Sequence, residues 1–422
     1  MTLPCQRSLF DLSDEVTYLN CSYMGPLSKA VLSAGIEGLS NKSQPWKIEP
    51  SDFFSSLVTA RRLFGTLIGG DPAGVAMIPS VSYGMAIAAA NLPVPREGNI
   101  VLLAEQFPSN VYVWRQLALE NGAEVRTVAR PEDDDWTRAV LQSVDDKTAI
   151  LAVPHCHWTD GTLLDLQQVG ERARESGAAL VVDGCQPIGA LPIDVGVVQP
   201  DFLATASYKW LLGPYSHGFL WVAPRWRQGR SIEHNWIARS NAEDFAAVAN
   251  YTDSFAAGAR RFDVGEVSNF ALLPAAIAAL EQTLEWGVEE VQATIRLMTR
   301  RIADRARELG LQVAAEDRRA GHIVGLRLGD RDPQSLATAL ASEKVHVSVR
   351  GTSVRVSPHV YNTEEDVERF LRVLEAAWTT VPVLCEPGPG HPTESNEDDD
   401  DTDSNHDLPL EPPFRRLELD PA

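Results

Sequence analysis

Residues 201–214 read Asp-Phe-Leu-Ala-Thr-Ala-Ser-Tyr-Lys-Trp-Leu-Leu-Gly-Pro, and this stretch decides the fold class. Phe202–Ala206 is a short, continuous apolar run of the kind that forms a strand buried on both faces of a sheet. Similar runs bounded by turn residues are Val75–Ile78, Ile100–Leu103, Ile150–Val153, Ala179–Val182 and Gly218–Val222. Because segments with helical spacing, such as Leu164–Ser176, separate these runs, the sequence predicts an α/β fold with a mostly parallel sheet covered on both faces.

The pattern changes after a long helical segment that we predict over Pro274–Leu309. The elements predicted beyond it are a strand (Ile323–Leu328), a helix (Pro333–Glu343), two strands (Val345–Arg350 and Ser353–Ser357) and a helix (Thr363–Trp378). This order is typical of a small α+β domain packed on a larger one. We therefore predict an N-terminal segment (1–30), a large domain (31–285), a small C-terminal domain (286–384) and an acidic, disordered tail (385–422).

The composition excludes several classes of partner. The formal net charge is -21, whereas binding to nucleic acid or to an anionic membrane requires a basic face. No stretch approaches the roughly 20 uninterrupted apolar residues of a membrane span, and Met1–Leu9 lacks the basic and apolar pattern of a secretory signal. We therefore expect a cytoplasmic protein without a nucleic-acid or membrane partner.

The five cysteines form no CxxC pair, and their odd number argues against a disulfide framework. His155-Cys156-His157 offers two metal ligands, but no second cluster of matching type follows it. The sequence predicts free thiols and no metal site.

Lys209 is one of only six lysines, and it lies between aromatic and small residues just after the Phe202–Ala206 run. A lysine in such a place is partly desolvated, and its amine is then a nucleophile suited to Schiff-base chemistry. The alternative is an ordinary loop lysine whose stem packs on Trp210.

Ligands of open α/β sheets bind beyond the carboxyl ends of the strands, so the residues that follow the other apolar runs are the natural partners of Lys209. Ser80-Val81-Ser82 follows Val75–Ile78 and opens a helix, where backbone N–H groups and hydroxyls bind a phosphate. An N-cap is the plainer explanation of the serines. Phe107 follows Ile100–Leu103 and is placed to cover a flat ring, although such a residue is more often part of the core.

Asp183 follows Ala179–Val182, and a carboxylate at the end of a buried strand is costly unless it meets a positive group. A protonated pyridine nitrogen is such a group, and Gln186, three residues on, is placed to reach the phenolic oxygen of the same ring. The alternative is that Asp183 caps a helix. Pyridoxal 5'-phosphate requires a binding site for its phosphate, a side chain over its ring, an acid for its ring nitrogen and an amine for its aldehyde. These residues together provide all four.

Three motifs resemble the class V aminotransferase family, the fold type I group that includes cysteine desulfurases, isopenicillin N epimerase and kynureninases. They are Val181–Gln186, Tyr208–Pro214 and Arg355–Thr363, and the likeness runs from Leu19 to about Trp378. The resemblance implies a mostly parallel seven-stranded sheet in the large domain. It also implies that Asp183 contacts the pyridine nitrogen, Gln186 the ring hydroxyl, and Lys209 binds the cofactor covalently.

The resemblance implies further site residues. Arg355 binds the substrate α-carboxylate, with Arg350 as a second candidate, and a guanidinium suits this role because it pairs a carboxylate through two hydrogen bonds. Asn20 and Tyr23 are pocket residues on family grounds. Thr159, from its place after the Ile150–Val153 run, and Tyr208 are expected to contact the cofactor. Trp236 and Asn269 resemble positions that reach the neighbouring subunit's site, which implies a homodimer with shared active sites.

The resemblance predicts an enzyme that acts on the α-amino group of an amino acid, as a transaminase or a lyase. Cysteine desulfurases carry a nucleophilic cysteine just before the substrate arginine, whereas Val349–Val354 contains none. Kynureninases usually have a histidine where this chain has Gln186. A carbon–sulfur lyase, a kynureninase-like hydrolase and an amino-acid epimerase stay open, and a binding protein that retains the fold without catalysis is the alternative of a different class.

Overall fold

A computed structural model describes residues 1–383, so the predicted tail (385–422) lies outside the described residues. The strands in chain order are β1 (Thr17–Tyr18), β2 (Val75–Ile78), β3 (Asn99–Leu103), β4 (Glu124–Val128), β5 (Thr148–Pro154), β6 (Ala179–Asp183), β7 (Phe202–Ala206), β8 (Gly218–Val222), β9 (Val324–Arg327), β10 (Val345–His346), β11 (Ser348–Arg350) and β12 (Ser353–Val356). The α-helices are α1 (Lys29–Asn41), α2 (Asp52–Leu67), α3 (Val81–Asn91), α4 (Tyr112–Asn121), α5 (Trp136–Ser143), α6 (Leu166–Ser176), α7 (Val195–Val198), α8 (Leu272–Trp286), α9 (Val288–Glu308), α10 (Pro333–Ser342) and α11 (Glu364–Trp378).

The large sheet has seven strands in the order β2-β8-β7-β6-β5-β3-β4. Strands β4, β3, β5, β6 and β7 run parallel, and β8 is antiparallel to both β7 and β2. The predicted mostly parallel, seven-stranded sheet is therefore confirmed. All six apolar runs quoted from the sequence are strands of this sheet.

Both faces of this sheet are covered, which explains why its strands are continuously apolar. Val101 and Leu151 belong to one hydrophobic cluster, with residues of α2, α6 and α8. Their neighbours Ile100 and Ile150 belong to a second cluster, with residues of α3 and α4. Because successive side chains of a strand point to opposite faces, each strand contributes to both clusters.

A second, smaller sheet has the antiparallel order β11-β12-β9. Helices α9, α10 and α11 pack on it around a separate hydrophobic cluster. Strand β1, near the N-terminus, pairs in parallel with β10, so the first residues of the chain are tied to this part of the molecule. The predicted domain bounds (1–30, 31–285 and 286–384) stay a prediction, because both sheets lie within one compact unit.

The structure corrects three details of the predicted elements. The helical segment predicted over Pro274–Leu309 is two helices, α8 and α9, separated by Gly287 with φ +75°. The strand predicted over Val345–Arg350 is divided between β10 and β11, which pair in different sheets. Strand β4 was not predicted, because as an edge strand it is half-exposed and mostly polar.

Within residues 1–383, no helix is both long and apolar enough to cross a membrane.

Candidate active site

The carboxyl ends of β3, β5, β6 and β7 converge on one small cavity. Its lining residues are Gln106, Phe107, Pro154, Cys156, Trp158, Asp183, Cys185, Gln186 and Lys209. Four of the predicted site residues, Phe107, Asp183, Gln186 and Lys209, are therefore brought together although they are far apart in the sequence. A larger surface groove, lined in part by α5 and α6, contains none of the predicted site residues.

Lys209 is held in the turn after β7 with its side chain 6% exposed. Its Nζ lies 3.6 Å from Cys185 Sγ and 5.3 Å from the centre of the Phe107 ring. A Cβ at Gly25 would lie 2.2 Å from the Lys209 carbonyl oxygen, so the close approach of the N-terminal segment requires glycine there. Among residues 1–383, no carboxylate is within ion-pair distance of this amine.

Asp183 ends β6 with 6% of its surface exposed. Its Oδ1 accepts a hydrogen bond of 2.9 Å from the Cys185 backbone N–H. Burial raises the pKa of Asp183, whereas that hydrogen bond and the charge of Lys209 lower it. In the described part of the chain Asp183 has no ion-pair partner. A cationic ligand in the cavity would therefore stabilise its buried carboxylate.

The side chain of Gln186 is fixed from two sides. Its Oε1 accepts a hydrogen bond of 2.8 Å from Trp210 Nε1, and its Nε2 donates to the Ser22 carbonyl at 3.3 Å. His322 Nε2 lies 2.8 Å from the Gln186 backbone carbonyl. The amide oxygen accepts from the indole and one amide N–H donates to the Ser22 carbonyl, so the second amide N–H is available to a ligand in the cavity.

The Ser80–Ser82 segment opens α3, an 11-residue helix. Ser80 is the N-cap, since its side chain accepts from the Tyr83 N–H at 3.2 Å, and its Oγ lies 2.9 Å from Ser82 Oγ. Val81 is buried. The N-cap explanation is therefore confirmed for Ser80, and it leaves the helix N-terminus and the Ser82 hydroxyl available to an anion.

Arg355 lies in β12 with only 1% of its surface exposed. Its Nη1 donates to the Trp158 carbonyl at 2.6 Å, and its Nε has no hydrogen-bond partner. Burial, with the nearby charge of Arg350, lowers the pKa of Arg355. Since no carboxylate pairs with it among the described residues, this buried guanidinium is suited to an anionic ligand.

Arg350, in β11, is half-buried beside two aromatic rings. Its guanidinium carbon lies 5.6 Å from the centre of the Trp158 ring and 5.9 Å from that of Tyr23, which is 54% exposed. Asn20 is instead bound to the small sheet, where its Oδ1 accepts from Ser348 Oγ at 2.8 Å. Asn20 is thus placed next to the arginine-bearing hairpin rather than in the lining of the Lys209 cavity.

Thr159 does not line the cavity in this structure. Its Oγ1 accepts from Arg130 Nη2 at 3.1 Å and lies 2.7 Å from His157 Nδ1. The next residue, Asp160, accepts hydrogen bonds from Arg130 Nη1 at 2.8 Å and Arg327 Nη2 at 2.7 Å. These contacts form a charged network that links the end of β5 to β9.

Three other predicted residues lie around or away from the cavity. Tyr208 packs against Tyr215, with ring centres 4.6 Å apart, and its ring centre is 5.5 Å from Lys209 Nζ. Trp236 packs edge-on against Phe53 and Phe245. Asn269 is exposed, and its Oδ1 accepts from the Leu272 N–H at 2.9 Å. The described chain does not place Trp236 or Asn269 in the lining of its own cavity.

Five cavity-lining residues were not predicted as site residues: Gln106, Pro154, Cys156, Trp158 and Cys185. Trp158 and Cys185 have the contacts of most interest. Trp158 packs edge-on against Phe107, with ring centres 5.2 Å apart, and its carbonyl accepts from Arg355. It follows the end of β5, so the rule that identified the residues after the other strands also applies to it. Cys185 lies between Asp183 and Gln186 in a motif already singled out, but nothing in its residue type indicates contact with Lys209.

The donor set fits pyridoxal 5'-phosphate. A buried amine and a buried carboxylate, neither with an ion-pair partner among the described residues, lie at one cavity beside an aromatic ring and an amide. Buried charges without partners are unfavourable, so this arrangement is best explained by a ligand that supplies an aldehyde and a cationic ring nitrogen.

Comparison with known proteins supports the same reading. The family model described as "Aminotransferase class-V" matches residues 50–370. An uncharacterized aminotransferase, YcbU, of Bacillus subtilis (strain 168) is 29% identical over 88% of this chain and 96% of that protein. Isopenicillin N epimerase of Streptomyces clavuligerus is 26% identical over 86% of this chain and 96% of the epimerase.

Probable cysteine desulfurases and a kynureninase are also similar to this chain. A C-DES mutant solved with glycine covalently linked to its PLP cofactor superposes with a TM-score of 0.77, at 18% identity, over 87% of this chain and 98% of that one. This structural likeness confirms the predicted fold type I architecture.

Proposed function

The chain belongs to the class V aminotransferase family, whose members are pyridoxal phosphate enzymes, and we propose that Lys209 is the residue at which it processes an amino acid. The observation that carries this proposal is the buried Lys209 amine beside Asp183, with no carboxylate paired to it in the described chain. The chemistry that pyridoxal phosphate supplies when bound is electron withdrawal from the α-carbon of an amino acid.

Lys209 serves two purposes in this proposal. Its Nζ would hold the cofactor, and as a free amine the same group would move a proton at the substrate Cα. Partial burial under Phe107 and Tyr208 keeps water away from this nitrogen. Lys209 is therefore the residue that we propose as both anchor and general base.

Asp183 and Gln186 would hold two different polar groups of the ring. Asp183 pairs with the protonated pyridine nitrogen, which offsets the cost of burying its carboxylate. Gln186 donates its remaining amide N–H to the phenolic oxygen. Phe107 would cover the ring and Tyr208 would lie beside it, whereas the contacts of Thr159 with Arg130 and His157 keep its hydroxyl out of the cavity lining.

Ser80, Val81 and Ser82 at the start of α3 would hold the phosphate through backbone N–H groups and one hydroxyl. Arg355 binds the substrate α-carboxylate, because its buried guanidinium has an unused Nε and no paired acid among the described residues. Asn20 and Tyr23 stay proposed pocket residues at the arginine-bearing hairpin.

We also propose a homodimer with shared active sites, in which Trp236 and Asn269 contact the partner's cofactor. Helix α1 supports an interface, because Leu32, Ile36 and Leu39 are 49%, 58% and 63% exposed along one stripe of the helix. Sedimentation of the wild type and of Ile36→Glu tests this arrangement. A wild-type monomer at micromolar concentration would contradict it.

The reaction is a transamination in our leading proposal, with elimination, hydrolysis at Cβ and epimerisation as alternatives within the same family. Persulfide-forming desulfuration is disfavoured because the two cysteines that could replace the missing nucleophile are poorly reactive. Cys21 and Cys156 are fully buried, and burial raises the pKa of both thiols well above the ordinary range. We keep a cytoplasmic location, without a nucleic-acid partner, as predictions from composition.

Borohydride reduction followed by peptide mass spectrometry tests the proposal. We expect a reduced cofactor adduct on Lys209 and none on Lys147, an exposed lysine that serves as the internal control. A colourless protein without a Lys209 adduct would sink the proposed function. Incubation with a panel of amino acids, following keto acid, ammonia, sulfide and racemised product together, separates the four reactions.

A further inference from the structure

Two arginines of the small sheet share one face of a hairpin. Strands β11 and β12 pair with the register Ser348–Arg355 and Arg350–Ser353. Since side chains alternate along a strand and directly paired residues point to the same side, Arg350 and Arg355 lie on the same face as diagonal neighbours. Such neighbours are about 7–8 Å apart, so their guanidinium groups can bind two parts of one small molecule.

Both guanidinium groups face the same aromatic residue of the candidate site. The carbon of the Arg355 guanidinium is 6.0 Å from the centre of the Trp158 ring, and that of Arg350 is 5.6 Å from it. Trp158 also lines the Lys209 cavity. Arg355 is 1% exposed, whereas Arg350 is only half-buried, so the two charges lie at different depths beside one indole.

Neither charge is neutralised within residues 1–383. Among the described residues, the Arg350 side chain donates one hydrogen bond, to the adjacent Val349 carbonyl, and the Arg355 side chain donates one, to the Trp158 carbonyl. Several other buried or half-buried guanidinium groups of this protein meet carboxylates, as Arg61 meets Asp263 and Arg327 meets Asp134. Arg319 is also buried without an acid, but it does not line the Lys209 cavity, whereas Arg350 and Arg355 lie side by side against a residue that does. In an acidic protein, two adjacent unpaired arginines beside a cavity favour an anionic ligand.

An amino acid with a neutral side chain would neutralise only one of these arginines. Its α-carboxylate pairs with the deeper one, Arg355, under the function proposed above. The half-buried Arg350, over the rings of Tyr23 and Trp158, is then left without an anion. Burial lowers the pKa of both arginines, so a bound anion would favour the charged form of each.

We propose that the substrate is an amino acid whose side chain carries a second anionic group, and that Arg350 binds this group while Arg355 binds the α-carboxylate. This inference rests on the proposed function, because it assigns a substrate class to the same site. It makes Arg350 a specificity-determining residue.

The test compares isosteric pairs on the holoenzyme. The ratio of kcat/KM for glutamate to that for glutamine, and for aspartate to that for asparagine, is measured in the wild type, in Arg350→Met and in Arg372→Met. The last is the matched control, since Arg372 is exposed on α11 and its loss changes the net charge equally. We expect a wild-type ratio above 10 for at least one pair, a ratio lowered about 10- to 100-fold in Arg350→Met, and an unchanged ratio in the control.

A second measurement does not depend on turnover. Calorimetry with glutarate and butyrate is expected to show tighter binding of the dicarboxylate to the holoenzyme, and loss of this difference in Arg350→Met. If neutral amino acids are turned over at least as well as acidic ones, or if Arg350→Met leaves the ratios unchanged, the inference is overturned while the proposed function stands. An enzyme without a Lys209 adduct that turns over no amino acid would overturn both.

Discussion

Two groups of buried or half-buried charges contact the loop that follows β5, and they differ in how they are neutralised. Around Asp160, the guanidinium groups of Arg130 and Arg327 are each within 2.8 Å of carboxylate oxygens. Around Lys209, the described residues provide no ion pair for the lysine, for Asp183 or for Arg355. The charges of the first group are paired within the chain, whereas we propose that a ligand neutralises the second.

The difference shows how structural charges are told apart from functional ones. A buried ion pair with full hydrogen bonding holds elements in register, and here it joins β9 of the small sheet to the loop after β5 of the large sheet. Buried charges without partners oppose folding and are retained where they bind something else. Substitutions in the two groups should therefore have opposite effects on stability and on activity.

The largest expected effect is on activity, from Asp183→Asn. Loss of the acid that keeps the ring nitrogen protonated should lower the rate by about 100- to 10,000-fold. Burial raises the pKa of Asp183, so its charge opposes folding above about pH 4, and the free energy of unfolding of the cofactor-free protein should not fall in the variant. Steady-state kinetics measures the rate, and urea unfolding of the cofactor-free protein measures the free energy of unfolding. A strongly destabilised variant would show that Asp183 is a structural acid.

The next effect is on stability, from Asp160→Asn. Removing this carboxylate costs Arg130 and Arg327 one charge-assisted hydrogen bond each, while Glu105 and Asp134 still pair with them, so the free energy of unfolding should fall by about 3 kcal/mol. The control is Asp133→Asn, which removes an exposed partner of Arg138 and should leave unfolding unchanged within error. Equal unfolding midpoints in urea for the wild type and Asp160→Asn would contradict the structural role of the network.

The pH dependence of that stability difference is a smaller effect. Burial would raise the pKa of Asp160, but the charges of Arg130, His157 and Arg327 lower it to about 2. A depressed carboxyl pKa stabilises the fold above the unfolded value of about 4, and this contribution of about 2–3 kcal/mol is lost as the pH falls from about 4 to about 2. Unfolding of the wild type and Asp160→Asn from pH 6 to pH 3 should show the two converging, and parallel curves would exclude this explanation.

The smallest effect concerns cofactor affinity, from Trp210→Phe. The substitution removes the indole N–H that occupies Gln186 Oε1, so the amide is free to turn and affinity for pyridoxal phosphate should fall about 5-fold. Trp136→Phe is the matched control, since its buried indole N–H donates to Thr162 Oγ1, and Trp136 is not among the cavity-lining residues. Titration of the two cofactor-free variants with pyridoxal phosphate measures both affinities. Equal losses of affinity in the two variants would indicate general destabilisation.

Much of the fold was predictable, because buried parallel strands have a signal of their own. Strands β2, β7 and β8 have the predicted bounds, since each is apolar on both faces. The exposed edge strand β4 lacks that signal, and the break between α8 and α9 depends on a single residue, Gly287. Helical periodicity continues on both sides of that glycine, so the sequence pattern did not reveal the break.

The candidate site divides in the same way. Lys209, Asp183, Gln186 and Phe107 were identified because each follows an apolar run, and the structure places all four at one cavity. Thr159 was predicted from its place after the Ile150–Val153 run, but Arg130 and His157 hold its hydroxyl outside the cavity lining. The contact between Lys209 and Cys185 had no sequence signal, because it depends on how two neighbouring strand ends are spaced.

The sequence by itself determined the α/β class, the parallel sheet and the order of the strand-end residues, because these depend on local hydrophobic patterns and on the rule that ligands bind at carboxyl strand ends. Only the tertiary structure decided which charges are paired. Asp160 lies in the loop after β5, and Asp183 is the last residue of β6. Asp160 pairs with Arg130 and Arg327, whereas Asp183 pairs with no arginine among the described residues. Neutralisation of a buried charge depends on distances of a few ångströms between residues distant in sequence, and these distances are set by packing.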